Sequence, residues 1–232
     1  LDGIEFSVFV ITNGFEYQIL PVAKDYKKIF EGDMGPNTGG MGAISPPPFV
    51  DEVMMDKVTT RVIEPTLAQL KKDGIPYVGF IFLGMIEVNG EPFVIEYNTR
   101  MGDPETEVVF PRLQSDMVQV FEDLIRHNPL EPLIIDSNFA AGIYIVANGY
   151  PGDYSKGSEI SLEDFPNEAF HFMGGTKTND EGQVVSNGGR VIFVGAMDPI
   201  LSEARRKSLD AADSVVMEGK FYRRDIGADV DM

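Results

Sequence analysis

The sequence runs to 232 residues, enough for one large domain or two small ones with their own cores. Its 43% hydrophobic and 24% charged content is ordinary for a globular protein, no apolar run reaches the roughly 20 residues of a membrane span, and no signal-peptide pattern opens the chain. The formal net charge of −18 argues against a nucleic-acid partner, and the absence of cysteine excludes disulfides, thiolate zinc sites and cysteine nucleophiles while fitting a reducing, cytoplasmic setting.

In chain order, residues 4–20 alternate like a hairpin, with Ile4, Phe6, Val8 and Val10 on one face and a tight turn at Asn13-Gly14. Residues 21–48 are rich in glycine and proline and read as a long loop, of the kind that is either functional or disordered. Asp51 caps a predicted helix over 51–72, with a stripe of Met54, Val58, Val62, Ile63, Leu67 and Leu70; Pro65 should kink or divide it and Gly74 stop it. A second hairpin follows, with strands near 77–88 and 92–97 about Asn89-Gly90. A helix is predicted over 115–126, capped by Ser115, with Met117, Val118, Phe121 and Ile125 inward. Asn128, Pro129, Pro132 and Asp136 mark a boundary, which divides the chain into 1–135 and 136–232. Strands are expected at 139–147, 169–173, 183–186 and 189–195. Residues 199–216 read as an amphipathic helix with Leu201, Ala204, Leu209, Ala212 and Val216 inward.

Three segments carry candidate chemistry. Gly35-Pro36-Asn37-Thr38-Gly39-Gly40-Met41-Gly42 lets backbone N–H groups approach an anion, with side-chain hydrogen bonds from Asn37 and Thr38. It has neither the lysine of a Walker A loop nor the glycine spacing of a dinucleotide fingerprint. In Glu96-Tyr97-Asn98-Thr99-Arg100, residues two apart on a strand leave the same face. A carboxylate and an amide oxygen so placed suit a hard cation bridging phosphates, and Arg100 continues the alternation as a phosphate or carboxylate grip. His127 and His171 are the only histidines, so any metal must be held by oxygen, as magnesium or manganese is. The third segment, Lys24-Asp25-Tyr26-Lys27-Lys28, is either a solvated charge cluster or a substrate-facing one. With so acidic a chain, phosphate binding must draw on Lys24, Lys27, Lys28, Arg100, Arg190, Arg223 and Arg224.

These runs, with Leu1-Asp2-Gly3-Ile4-Glu5, Ser7, Tyr77-Val78-Gly79, Gly149-Tyr150-Pro151-Gly152-Asp153-Tyr154, Asn187-Gly188-Gly189-Arg190-Val191 and Tyr222-Arg223-Arg224-Asp225-Ile226-Gly227, together resemble the phosphoribosylamine–glycine ligases of the ATP-grasp superfamily. The resemblance implies an α+β fold: the carboxy-terminal part of an ATP-grasp domain over 1–135, then a small β-rich domain over 136–232. It implies an ATP-dependent ligation of glycine to phosphoribosylamine through glycyl phosphate, in purine synthesis. By that resemblance Glu96 and Asn98 are metal ligands for magnesium or manganese. Arg100, Asp103 and Glu105 shape the glycine and phosphate pocket. Asp25, Lys27, Asn37, Thr38, Gly39, Gly40, Met41 and Arg190 meet substrate, and Glu5 borders the nucleotide cleft. A family member also carries an amino-terminal portion; Leu1 is no initiator methionine, and the chain alone is expected to be inactive for want of most adenine contacts. The stretch Phe80–Gly84 lacks the acid that ATP-grasp enzymes often place on the strand before the Glu-x-Asn pair. Another ATP-grasp ligase or carboxylase, and a non-catalytic anion-binding module, are the competing readings.

Overall fold

The computed structural model describes residues 1–231. In chain order the elements are β1 (Ile4–Thr12), β2 (Tyr17–Ile19), β3 (Lys24–Asp25), β4 (Lys28–Phe30), β5 (Met34–Asn37) and β6 (Gly42–Ser45), then α1 (Glu52–Val58), a π turn (Thr59–Ile63) and α2 (Glu64–Lys72). Strands β7 (Gly79–Val88) and β8 (Glu91–Asn98) precede α3 (Thr106–Val109) and α4 (Met117–Arg126). Next come β9 (Phe139–Ala147), β10 (Ile160–Ser161), β11 (Ala169–Met173), β12 (Thr176–Thr178), β13 (Val184–Ser186), β14 (Arg190–Asp198), α5 (Leu201–Ser214), β15 (Val216–Met217) and β16 (Lys220–Phe221). They form two compact units: residues 1–24 with 45–137, and residues 25–44 with 138–232. The glycine-rich segment thus folds with the second unit although it lies early in the sequence.

The first unit is built on an antiparallel sheet of order β2-β1-β7-β8. Phe6, Val8 and Val10 of β1, Ile81, Leu83 and Met85 of β7 and Val94 of β8 share one face and pack on Met54, Val58, Val62 and Ile63 of the helix. Each large apolar side chain buried this way contributes about 1.5–3 kcal/mol. Asp51 caps the helix by accepting from Met54 N at 2.8 Å. Pro65 neither kinks nor breaks it. The preceding turn widens to π geometry, with Glu64 N donating to Thr59 O, and helical angles hold at its ends. Gly74, at φ +67°, stops it.

Two turns depart from expectation in instructive ways. Asn13-Gly14 is not a two-residue turn: Thr12 pairs with Tyr17, and the Asn13 side chain accepts from Phe15 N and Glu16 N to close a four-residue loop. Asn89-Gly90 is the tight primed turn, with both residues at positive φ. In α4 the cap is Asp116 rather than Ser115, whose hydroxyl accepts instead from Ile134 N at 2.7 Å. The inward stripe includes buried Leu124 and the half-buried Phe121, while Val118 and Ile125 are exposed. Phe121 meets Phe80 of β7 edge-on, so part of the second sheet face is also covered.

The second unit carries a sheet of order β11-β14-β9-β6-β3, with β16 added against β9. Helix α5 lies on it through Leu201, Ala204, Ser208, Ala211 and Ala212, and Ser208 Oγ donates to Ala141 O of β9 at 2.8 Å. Small residues let the helix approach the strand closely. Two expected inward residues differ: Leu209 is half-buried, and Val216 lies beyond the helix in β15, exposed.

Candidate functional site

The side chains of Glu96 and Asn98 leave the sheet on the face opposite the α1–α2 core, and a β-bulge puts them there. From the Asn89-Gly90 turn, β7 and β8 pair in regular register as far as Met85 opposite Val94. The register then slips by one residue at Ile95, so that Gly84 faces Glu96, Leu83 faces Tyr97 and Phe82 faces Asn98. Leu83 and Met85 belong to the helix-side core, so Gly84 and Phe82 point the other way. Without the bulge Glu96 would oppose Leu83 and aim into that core. Across the next strand Ser7 opposes Gly84, which gives a row of Ser7, Gly84 and Glu96 over three strands.

Gly84 makes room in that row. A Cβ there would lie 2.9 Å from Cγ of Glu96. Asn98 Nδ2 donates to Glu96 Oε1 at 3.1 Å, so the two side chains stand side by side as a pair of oxygen-bearing groups. Among the described residues no group of three His, Cys, Asp or Glu side chains converges on a metal-sized point. The chain itself therefore offers an amide and a carboxylate, a set that suits a hard cation completing its shell with water and phosphate oxygens.

The residues that follow divide into exposed and buried. Strand β8 ends at Asn98, and Arg100 lies in the next turn with Nη1 donating to Met101 O at 2.8 Å, so it does not continue the strand alternation. Asp103 is exposed and precedes a cis Pro104. Glu105, expected to face the pocket, is only 4% exposed. Its Oε1 accepts from Ser7 Oγ at 2.8 Å, and its backbone carbonyl accepts from Val109 N at 3.0 Å. Its carboxylate packs against Gly102, where a Cβ would come within 2.5 Å of Oε2. Glu105 thus ties the 99–105 turn to β1, a positioning part rather than a solvent-facing acid. Glu5, exposed, lies two residues from Ser7 on the same face of β1. The sequence reading passes over Ser7 and Gly84 as site residues. Ser7 leaves a trace as a small polar residue inside an apolar strand; Gly84 leaves one only in the register. A cavity lined by Val62, Pro65, Leu70, Tyr77, Val94 and Tyr97 also touches Asn98 and Thr99, and another lies around Phe15 and His127.

In the second unit the glycine segment is not a free loop. It forms a β4–β5 ribbon followed by a turn and β6. Asn37 is exposed at the end of β5. Thr38 spends its groups internally: N and Oγ1 both donate to Lys27 O, at 2.7 and 2.8 Å, and Oγ1 accepts from Gly40 N at 2.9 Å. Met41, read as a substrate contact, is fully buried and is a core residue of this unit. Arg190 Nη1 donates to Gly39 O at 2.6 Å, so the guanidinium is engaged with the loop backbone itself. Asp25 and Lys27 pair at 3.0 Å, so the one acid of the 24–28 cluster offsets one of its three lysines.

Two further candidate cations are structural. Arg223, 1% exposed, donates Nε to Asp225 Oδ1 at 2.8 Å and Nη1 to Lys28 O at 2.9 Å. Burial raises the Asp225 pKa, but the Arg223 guanidinium and the Gly32 N–H outweigh it and hold the carboxyl below its usual 3.8. Arg224 forks onto Asp213 at 2.9 and 3.0 Å. That bond and the Tyr222 hydroxyl hold the Asp213 carboxyl down at about 2. Both arginines are paired with carboxylates in this arrangement.

Comparison with known proteins settles the family. Residues 1–106 match the model of the phosphoribosylglycinamide synthetase ATP-grasp (A) domain, and residues 140–229 match the C domain of the same synthetase. The chain belongs to the phosphoribosylglycinamide synthetase family. It is 41% identical over 234 residues to the phosphoribosylamine–glycine ligase of Vibrio cholerae, covering 98% of this chain and 54% of that protein. It superposes on the crystal structure of the Thermotoga maritima phosphoribosylamine–glycine ligase with a TM-score of 0.87 at 39% identity, covering 97% of this chain and 56% of the other. A biotin carboxylase of Campylobacter jejuni, at 15% identity and TM-score 0.67, shares the fold alone. The fold is thus α+β of the ATP-grasp type. The chain spans about half the length of the ligases it matches, and 29% of two bifunctional purine biosynthetic proteins. Among the described residues no helix is long and apolar enough to cross a membrane.

Proposed function

We propose that this chain supplies the cation-holding and substrate-binding part of a phosphoribosylamine–glycine ligase that works in the cytoplasm in purine synthesis. The observation that carries the reading is the pair Glu96 and Asn98, turned by the Ile95 bulge onto one sheet face in a chain of this family. Residues 1–135 act as part of the ATP-grasp domain and 136–232 as the small β-rich domain of such a ligase. The amino-terminal portion of such an enzyme is the partner that completes the ATP site.

The reaction needs an activated acyl group, because a carboxylate is a poor electrophile. Glycine's carboxylate attacks the γ-phosphorus of ATP, ADP leaves, and the amine of phosphoribosylamine displaces phosphate from glycyl phosphate to form the amide. Glu96 and Asn98 would hold magnesium or manganese, which would supply charge to offset phosphate and carboxylate repulsion. Arg100 and Asp103, on a turn staked by Glu105 and Ser7, orient glycine and the transferred phosphate. Glu5 borders the nucleotide. Asn37, Gly39 and Gly40, with Asp25 and Lys27, line the phosphoribosylamine side.

The test is ADP release in a protein extended to the full family length, and in this chain alone. Strict dependence on both glycine and phosphoribosylamine, a loss of about 100-fold or more in Glu96→Gln, and no turnover by the chain alone support the proposal. ADP release driven by bicarbonate or by a different amine would assign the chain to another ATP-grasp reaction.

A further inference from the structure

The two glycine-rich turns of the second unit, Gly149–Tyr154 and Asn187–Arg190, have no part in the chemistry above, yet both converge on the two peptide groups that flank Gly39. Gly39 N donates to the Tyr150 hydroxyl at 3.0 Å. Gly39 O accepts from Arg190 Nη1 at 2.6 Å, and the same nitrogen lies 3.5 Å from Gly40 O. The polar groups on either side of residue 39 are therefore taken by side chains more than a hundred residues away in sequence. Each side chain is itself seated. The Arg190 guanidinium lies over the Tyr144 ring, 4.6 Å from its centroid. The Tyr150 ring packs on Gly189, where a Cβ would come within 2.1 Å of Cδ2. At Gly39 a Cβ would come within 3.0 Å of Arg190 Cζ, so a side chain there would push the guanidinium aside by a few tenths of an ångström.

We propose that Tyr150 and Arg190 are positioning residues that clamp the Gly39 peptide and fix the 37–40 turn in the shape that presents Asn37 and the Gly40 region to a phosphate-bearing amine. Arg190 acts through the loop backbone, by its fork geometry and ring stacking, rather than by gripping substrate. This assigns a role to Tyr150, the residue after Gly149, and a reason for the glycine before Arg190. The ligand part of the proposal rests on the function proposed above; the clamp itself does not.

The experiment is residue-resolved amide hydrogen exchange on this chain, with ribose 5-phosphate titration followed on the same amides. Tyr150→Phe keeps the ring on Gly189 and removes only the hydroxyl. It should speed exchange at Gly39 about two- to tenfold while Ile145 of β9 is unchanged. Arg190→Gln should loosen the same amides, with Arg190→Lys restoring part of the protection. Ribose 5-phosphate affinity should fall by a similar factor in Tyr150→Phe. Gly39 exchange already at the unprotected rate in the parent chain, or unchanged in Tyr150→Phe, overturns the clamp. If ribose 5-phosphate binds no form, the substrate role proposed for the turn fails, and the exchange data still decide the clamp.

Discussion

Replacing Gly84 by alanine separates the geometry of the candidate cation site from the stability of the sheet that carries it. Backbone angles do not oppose the change, since Gly84 is not among the glycines at positive φ. Loss of unfolded-state freedom alone would stabilise the protein by about 0.4–1 kcal/mol. The new Cβ would sit 2.9 Å from Glu96 Cγ and 3.4 Å from Phe82 Cε1. The ring contact is tolerable, but carbon pairs settle near 3.5–4.0 Å, so the Glu96 side chain must swing by somewhat under about 1 Å. Holding a side chain that far off its preferred rotamer costs about 0.5–1.5 kcal/mol, which is about a two- to tenfold loss of cation affinity. Manganese titration by electron paramagnetic resonance, beside a urea melt, reads both quantities. The account predicts weaker manganese binding with stability within about 1 kcal/mol of the parent. Unchanged manganese affinity in a folded Gly84→Ala protein would refute the placement of Glu96 over Gly84.

Three further perturbations test other joints of the structure. Ser7→Ala leaves the buried Glu105 carboxylate short of a donor and should cost about 1–3 kcal/mol in urea unfolding, with Ser7→Thr recovering most of it. Deleting Ile95 removes the bulge but places Glu96 directly after Val94, still opposite Gly84, so a folded deletion variant should keep manganese affinity within about tenfold of the parent, as read by electron paramagnetic resonance titration. The Asp225 carboxyl is held below its usual 3.8 in the folded chain, so its contribution is present above that pH and lost as pH falls through the lowered value. The parent should therefore lose stability between about pH 4 and pH 2 more steeply than Asp225→Asn, as measured by urea midpoints across that range.

Much of the fold is legible because local chemistry decides it. The primed turn at Asn89-Gly90 needs two residues tolerant of positive φ, and Asp51 announces a helix start. Period-two alternation places Phe6, Val8 and Val10 on one face without help from the rest of the chain. What escapes is set by distant partners. The slip at Ile95 depends on where β7 pairs, and nothing in Val94-Ile95-Glu96 marks it. That Glu96 and Asn98 share a face follows from their spacing, but which face of the sheet they share does not. The same limit applies to helix edges: Val118 and Ile125 are apolar in sequence, yet the side of α4 that meets Phe80 is the other one. Burial also separates residues within the motifs: Met41, Glu105 and Arg223 are buried, which their sequence context does not mark.

The most direct check on the central claim is an anomalous difference map from crystals of this chain grown with manganese and ADP. The account predicts a peak about 2.0–2.6 Å from a Glu96 carboxylate oxygen and the Asn98 Oδ1 together. A manganese peak bound elsewhere, with Glu96 and Asn98 holding only each other, would contradict it.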